Sequence, residues 1–196
     1  MEKKFPVDYR GFYVDVGTND PIRFNNTYKF YKQGWRGINI EPDINAYKKI
    51  KKIRSKDINI NIGIDEAKGE IEYYYFVPNT LNTFSKIEAD NYISQGYKLI
   101  KTEKILVRRL EDVLNQYLPA GVQIDFMSID TEGFDINVLN SMNISKFKPK
   151  FICIECVKHS ISGSVITNSV QEVLEQYGYS KIYTNGINSI YQISRN

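Results

Sequence analysis

Short β-rich runs alternate along this chain with stretches whose apolar residues recur at helical spacing, and that alternation restricts the fold to an α/β domain with a largely parallel sheet. Residues 12–16 and 37–41 read as the first two strands. The helix predicted between them covers about residues 25–33, is buried through Tyr28, Phe30 and Tyr31, and stops at Gly34. A second helix over residues 44–54 places Ile44, Tyr47, Ile50 and Ile53 on one face and turns Lys48, Lys49, Lys51 and Lys52 to water. Residues 59–64 make the third strand, followed by a β-rich aromatic run over 70–76. A helix through Leu110, Val113, Leu114 and Tyr117 precedes the fourth strand, 124–130; a helix over 134–142 precedes the fifth, 150–156. A last helix, 169–177, leads into residues 181–183 and 189–193, which can pair as a terminal antiparallel hairpin around Asn185 and Gly186.

A chain of 196 residues with 42% hydrophobic content suffices for one core, so residues 1–196 are expected to form a single domain. Within it, residues 77–104 are polar, irregular and longer than an ordinary connection, which marks them as a candidate substrate cover. Tyr92, Tyr97 and Phe84 there can stack on a sugar face or close the core.

The chemistry starts at the first strand, whose apolar run ends in Asp15-Val-Gly17-Thr18-Asn19-Asp20. Glycine lets a ligand approach the backbone, and Glu41, at the end of the second strand and 24 positions beyond Gly17, can accept both hydroxyl hydrogens of a ribose. These features suit a nucleoside-containing cofactor without separating a nicotinamide dinucleotide from S-adenosylmethionine. The loop's charge separates them. A pyrophosphate needs bare amides and a G-x-G-x-x-G run, whereas this loop has one glycine and two carboxylates, Asp15 and Asp20. Acidic groups attract the ammonium and sulfonium of S-adenosylmethionine.

Three blocks carry a family resemblance: residues 11–21 (GFYVDVGTNDP), 34–42 (GWRGINIEP) and 124–135 (IDFMSIDTEGFD). In this order they resemble the FkbM methyltransferases, and residues 61–69, 109–112 and 148–155 are similar as well, so the likeness runs over about residues 11–155. It implies a Rossmann-like class I fold with a mostly parallel seven-stranded sheet, helices on both faces, S-adenosylmethionine as cofactor, and O-methylation of a sugar, glycoconjugate or other small metabolite. Carried over by motif, Asp15 and Gly17, with Thr18 and Asn19 beside them, would hold the methionine end. Glu41 and Pro42 would hold the ribose, and Gly63, Ile64 and Asp65 the adenine. Asp130 would face the reacting centre, with Glu132 next to it. Pro21 departs from a pattern that places a later glycine there, and its fixed φ stiffens the loop.

Methyl transfer to a hydroxyl needs alignment and a destination for the proton. Asp130 and Glu132 follow the fourth strand at the sheet edge where open α/β folds bind ligands, although an acid there can also cap the next helix. His159, the single histidine, follows the fifth strand and Glu155 lies at its end, at the same edge, and both are further candidate proton acceptors. No metal site is expected. Cys153, Cys156 and His159 sit three apart, so on a strand they alternate faces, and Asp130 with Glu132 forms no dense oxygen cluster for magnesium.

The mild charge, +3 with lysines set among acids, gives no support for nucleic-acid binding. No stretch nears the ~20 apolar residues that span a bilayer, residues 1–6 lack the apolar segment of an export signal, and two cysteines suit a reducing compartment, so a cytoplasmic protein is expected. Two other functions stay open: an NAD-dependent oxidoreductase, which needs a phosphate nest this loop lacks, and a non-catalytic binding module on the same fold.

Overall fold

The computed structural model describes residues 4–155, 157–160, 163–166 and 168–194. In chain order the elements are β1 (Phe12–Val16), α1 (Tyr28–Lys32), β2 (Arg36–Ile40), α2 (Ile44–Ile53), β3 (Ile58–Ile60), β4 (Gly63–Ile64) and β5 (Gly69–Val77). A 3-10 turn (Asn79–Leu81), α3 (Lys86–Ser94), β6 (Lys98–Arg108), α4 (Leu110–Tyr117), β7 (Phe126–Ile129), α5 (Asp135–Asn140), α6 (Ile144–Phe147) and β8 (Phe151–Glu155) follow. The chain then forms β9 (Val157–Ser160), β10 (Gly163–Ile166), α7 (Asn168–Gln176), β11 (Tyr179–Thr184) and β12 (Asn188–Ile193).

The main sheet has seven strands in the order β11-β12-β8-β7-β1-β2-β3. From β8 to β3 all neighbours are parallel, and the β11–β12 hairpin joins antiparallel to β8. Side-chain alternation divides two cores. Val14, Val16, Ile38, Ile40, Met127, Ile129, Ile152 and Ile154 face one layer with Leu110, Leu114 and Leu139. Tyr13, Phe126, Phe151 and Cys153 face the other with Phe30 and Trp35. Both faces are therefore apolar, as a parallel sheet between layers requires. Because β2 and β7 flank β1 on opposite sides, the carboxyl ends of these strands splay into a crevice.

Four expectations need correction. The third run divides: Ile58–Ile60 pairs with β2, while Gly63–Ile64 leaves the main sheet and pairs with β6 in a small β4-β6-β5 sheet. Residues 77–104 are not irregular but hold the 3-10 turn, α3 and the start of β6, which pairs with β5 along its length. The first helix begins at Tyr28, because the Asn25 side chain accepts the Thr27 and Tyr28 amides in a turn; Phe30 is buried while Tyr28 and Tyr31 are half-buried. Finally, α2 buries Ala46, Ile50 and, just beyond its end, Arg54, leaving Ile44 and Ile53 42% and 38% exposed. The i, i+4, i+8 stripe turns inward because the Arg54 guanidinium finds a complete set of partners there.

Candidate active site

At the carboxyl ends of β1, β2 and β7 lies a cavity of about 520 Å³. Its floor is the turn after β1. Gly17 has φ +81°, and a Cβ there would lie 1.9 Å from the Asp130 carbonyl oxygen, so the close approach of this turn to the end of β7 demands glycine. The Gly17 amide donates to the Ile40 carbonyl at 3.0 Å, and the Asp130 amide to the Val16 carbonyl at 3.0 Å, which ties the three strand ends together.

Glu41 is buried at one end of the cavity. Its Oε2 accepts the Asn19 amide at 2.7 Å and its Oε1 the Asp43 amide at 2.8 Å. Burial nevertheless pushes its carboxyl up to about 7, against the lowering effect of those two bonds. Asn19 also accepts the Asn79 side-chain amide at 2.8 Å, joining the turn to the small-sheet region.

Asp15 lies beneath the turn instead of in the cavity wall. Its Oδ2 accepts Thr27 Oγ1 at 2.6 Å and Asn25 Nδ2 at 3.2 Å. Fully buried Arg54 completes this layer: Nη1 donates to Thr27 Oγ1 at 2.7 Å, Nη2 to the Asn25 side-chain oxygen, and Nε and Nη2 to the Pro21 carbonyl at 3.1 and 3.0 Å. Burial raises the Asp15 pKa while Arg54 and its hydrogen-bond donors lower it.

The other end is a group of carboxylates after β7 and β8. Asp130 lines the cavity, and burial, with Asp135 and Asp15 nearby, pushes it up to about 7. Glu132, at φ +52°, is pushed up to about 8 by burial and then Asp130, although it accepts Tyr92 Oη at 2.9 Å. Asp135, pushed by burial to about 6, accepts the Thr131 amide at 3.1 Å. Glu155 closes β8 outside the cavity wall and reaches about 9 through burial and then the charges of Asp135, Glu132 and Asp130. Among the described residues, no group of three or more His, Cys, Asp or Glu side chains is arranged to hold a metal ion.

Of the residues singled out from the sequence, Gly17, Thr18, Asn19, Glu41, Pro42, Ile64, Asp130 and Glu132 surround this one space. Gly63 and Asp65 do not line it: Gly63 backs onto Phe84, where a Cβ would meet the ring at 2.4 Å, and Asp65 accepts Asn137 Nδ2 at 3.1 Å. His159 is on β9, opposite Ser164, but its side chain and Cys156 lie outside the described residues. In the cover, Phe84 reaches the cavity, whereas Tyr92 is buried in a cluster with Phe76 and Tyr97 packs edge-on to Tyr92. Sequence reasoning missed Arg23, Phe24, Ile62, Tyr73, Asn79 and Asn82 as wall residues. Ile62 is near the end of a predicted strand and Tyr73 belongs to the predicted aromatic run, signals that were present; nothing local marks the asparagines.

The sequence matches the model of the methyltransferase FkbM domain over residues 15–181. No curated protein matches it significantly. Among solved structures, the methyltransferase FkbM from Methylobacillus flagellatus KT superposes with a TM-score of 0.54 at 16% identity, covering 94% of this chain and 44% of that one. The N-terminal domain of human METTL16, alone and in complex with SAH, gives TM-scores of 0.44 and 0.43, each at 12% identity, over 98% and 97% of this chain and 64% and 63% of those. The chain thus spans less than half the length of the FkbM structure it matches. With its mostly parallel seven-stranded sheet and its match over residues 15–181, this chain belongs to the FkbM methyltransferase family and has the Rossmann-like class I methyltransferase fold.

Proposed function

We propose that the chain is an S-adenosylmethionine-dependent methyltransferase that methylates a hydroxyl of a small acceptor, a sugar or glycoconjugate, in the cytoplasm. The observation that carries this reading is the charge of the cavity: among the described residues Asp20, Glu41, Asp130 and Glu132 line it against a single cation, Arg23. Such a wall repels a pyrophosphate and attracts a sulfonium and an ammonium. Its apolar part, Val16, Ile40, Ile62, Ile64 and Phe84, suits a purine.

Bound there, S-adenosylmethionine supplies an electrophilic methyl group on a cationic sulfur. Glu41 holds the ribose: each carboxylate oxygen already accepts one amide and has a lone pair left for a hydroxyl. Asp15, with Arg54 and Thr27, fixes the turn from below, and Gly63 acts through the position of Phe84. Asp130 takes the acceptor's hydroxyl proton on a carboxylate oxygen. A carboxyl near 7 is a stronger base than an ordinary aspartate and is still half ionised at neutral pH. Glu132, held by Tyr92, orients the acceptor beside it, and Glu155 supports both from behind.

Calorimetric titration with S-adenosylhomocysteine and, separately, NAD tests the cofactor. Binding of the first alone, weakened by Glu41→Ala, is the expected result. Binding of NAD instead would overturn the charge argument, and binding of neither would favour a non-catalytic module. A screen of sugar hydroxyls for methyl incorporation, lost in Asp130→Asn, tests the acceptor.

A further inference from the structure

Residues 21–56 contain ten of the chain's 26 Lys and Arg residues but only two of its 23 acids, Glu41 and Asp43. Folding removes both acids from the surface, since Glu41 turns into the cavity and Asp43 caps α2 with its side chain on the Asn45 and Ala46 amides. The charge this stretch shows to water is therefore all positive, while the rest of the chain is net acidic. Lys48, Lys49, Lys51 and Lys52 of α2, Lys32 of α1 and Arg23 are exposed, and none forms an ion pair among the described residues.

These cations belong to one face. Tyr31 Oη donates to the Ile53 carbonyl at 3.1 Å, and Arg54 lies 5.5 and 5.6 Å from the Tyr28 and Tyr31 rings, which fastens α1 to the end of α2. The same guanidinium holds the Pro21 carbonyl, so the loop over residues 20–24 joins the face. That loop carries apolar side chains in water: Phe24 is 95% exposed and Ile22 46%; Ile53, next to Arg54 on α2, is 38% exposed. Phe24 has φ +49°, a conformation unfavourable for a residue with a bulky side chain. The loop keeps it because Asp20 Oδ1 accepts the Ile22 and Arg23 amides at 2.9 and 2.8 Å and Arg54 grips Pro21. The backbone is braced from beneath to hold an aromatic ring outward.

Uncompensated lysines on a short helix lying beside a protruding aromatic and two aliphatic side chains are the complement of an anionic lipid surface. A nucleic acid would use the cations and stack on Phe24 at most, leaving Ile22 and Ile53 in water. We propose that the face made by the loop 20–24, α1 and α2 docks on an anionic bilayer, lysines over the headgroups and Phe24 with Ile22 at the acyl boundary. Arg23 and Phe24 also line the cavity, so the docked face borders its mouth. It is peripheral, since no helix among the described residues is long and apolar enough to cross a membrane.

Sedimentation of the full chain with phosphatidylcholine vesicles, with and without phosphatidylglycerol, in ~0.1 M salt tests it. Anionic vesicles should carry the protein down and neutral ones should not. Each lysine near such a surface is worth about a fivefold change in affinity, so K48Q/K49Q/K51Q/K52Q should lose about a hundredfold or more at an unchanged unfolding temperature. In Phe24→Trp, acyl-brominated phosphatidylglycerol should quench the new indole. Buried Trp35 in the parent should be unaffected, and this measurement stands even if the lysine variant fails to fold. Equal sedimentation with both vesicles, full binding by the folded lysine variant, absence of quenching, or tighter binding to single-stranded RNA than to vesicles at equal phosphate would each overturn the proposal.

Discussion

Glu41 at one end of the cavity and Asp130 at the other are both pushed up to about 7, yet Glu41 accepts two backbone amides while the Asp130 carboxylate accepts no hydrogen bond among the described residues. At Glu41, burial outweighs two good hydrogen bonds; at Asp130, burial and neighbouring charge act unopposed. The first carboxylate is fixed in place and suited to holding a ligand. The second is free to gain and lose a proton. The difference extends outward, because the Glu41 end rests on the Arg54 network, in which each guanidinium nitrogen is engaged, whereas the Asp130 end gathers four acids, of which Asp130, Glu132 and Glu155 are pushed up further by the charges of the others.

The sharpest break between the two ends should come from Asp130→Asn. We expect methyl transfer to fall by about 10²–10⁴-fold, the usual worth of a general base, with S-adenosylhomocysteine affinity changed less than about threefold. An equal loss in both would place Asp130 in binding and erase the contrast. Arg54→Met should destabilise the fold by about 3–5 kcal/mol in urea unfolding, because it leaves Asp15 buried without its counter-charge; a loss below ~1 kcal/mol would show that the network is dispensable. Glu41→Gln should weaken S-adenosylhomocysteine about 10–100-fold while leaving kcat at saturating cofactor near its original value. A last expectation concerns pH. Glu41, Asp130, Glu132 and Glu155 bind their protons more tightly folded, near 7, 7, 8 and 9, than at their ordinary values of 4.5, 3.8, 4.5 and 4.5. Their contribution is therefore present at low pH and lost as pH rises through the folded values, so the ligand-free unfolding temperature should be higher at pH 6 than at pH 8.5. A cationic ligand favours the ionised forms, so S-adenosylmethionine should gain on S-adenosylhomocysteine over the same interval. A flat ratio would remove the carboxylates from the sulfonium's surroundings.

The central strands were legible because each is a short apolar run ending in a glycine or an acid, and a buried parallel strand tolerates little else. The Gly17 turn and Glu41 stand out for the same reason. The first part of β6 did not, since Lys98-Leu-Ile-Lys-Thr-Glu-Lys is exposed at every position but Leu99 and is a strand only by pairing with β5, some 30 residues earlier in the chain. The orientation of α2 was misread because an arginine looks like surface until its partners, spread from Tyr13 to Asn39, are brought together. The positive charge of residues 21–56 escaped notice for a related reason: in one dimension Glu41 and Asp43 seem to balance the lysines that folding leaves alone.

Thr83 Oγ1 donates to the Glu132 carbonyl at 2.8 Å, Tyr92 holds the Glu132 side chain, a Cβ on Gly133 would meet the Glu88 side chain at 2.5 Å, and Phe84 packs on Phe134. The segment expected to act as a cover is thus bolted to the turn that bears the acids. Exchanging this segment alone would disturb the turn that carries Asp130 and Glu132 as well. A chimera should keep its turnover only when residues 79–97 and 130–135 travel together.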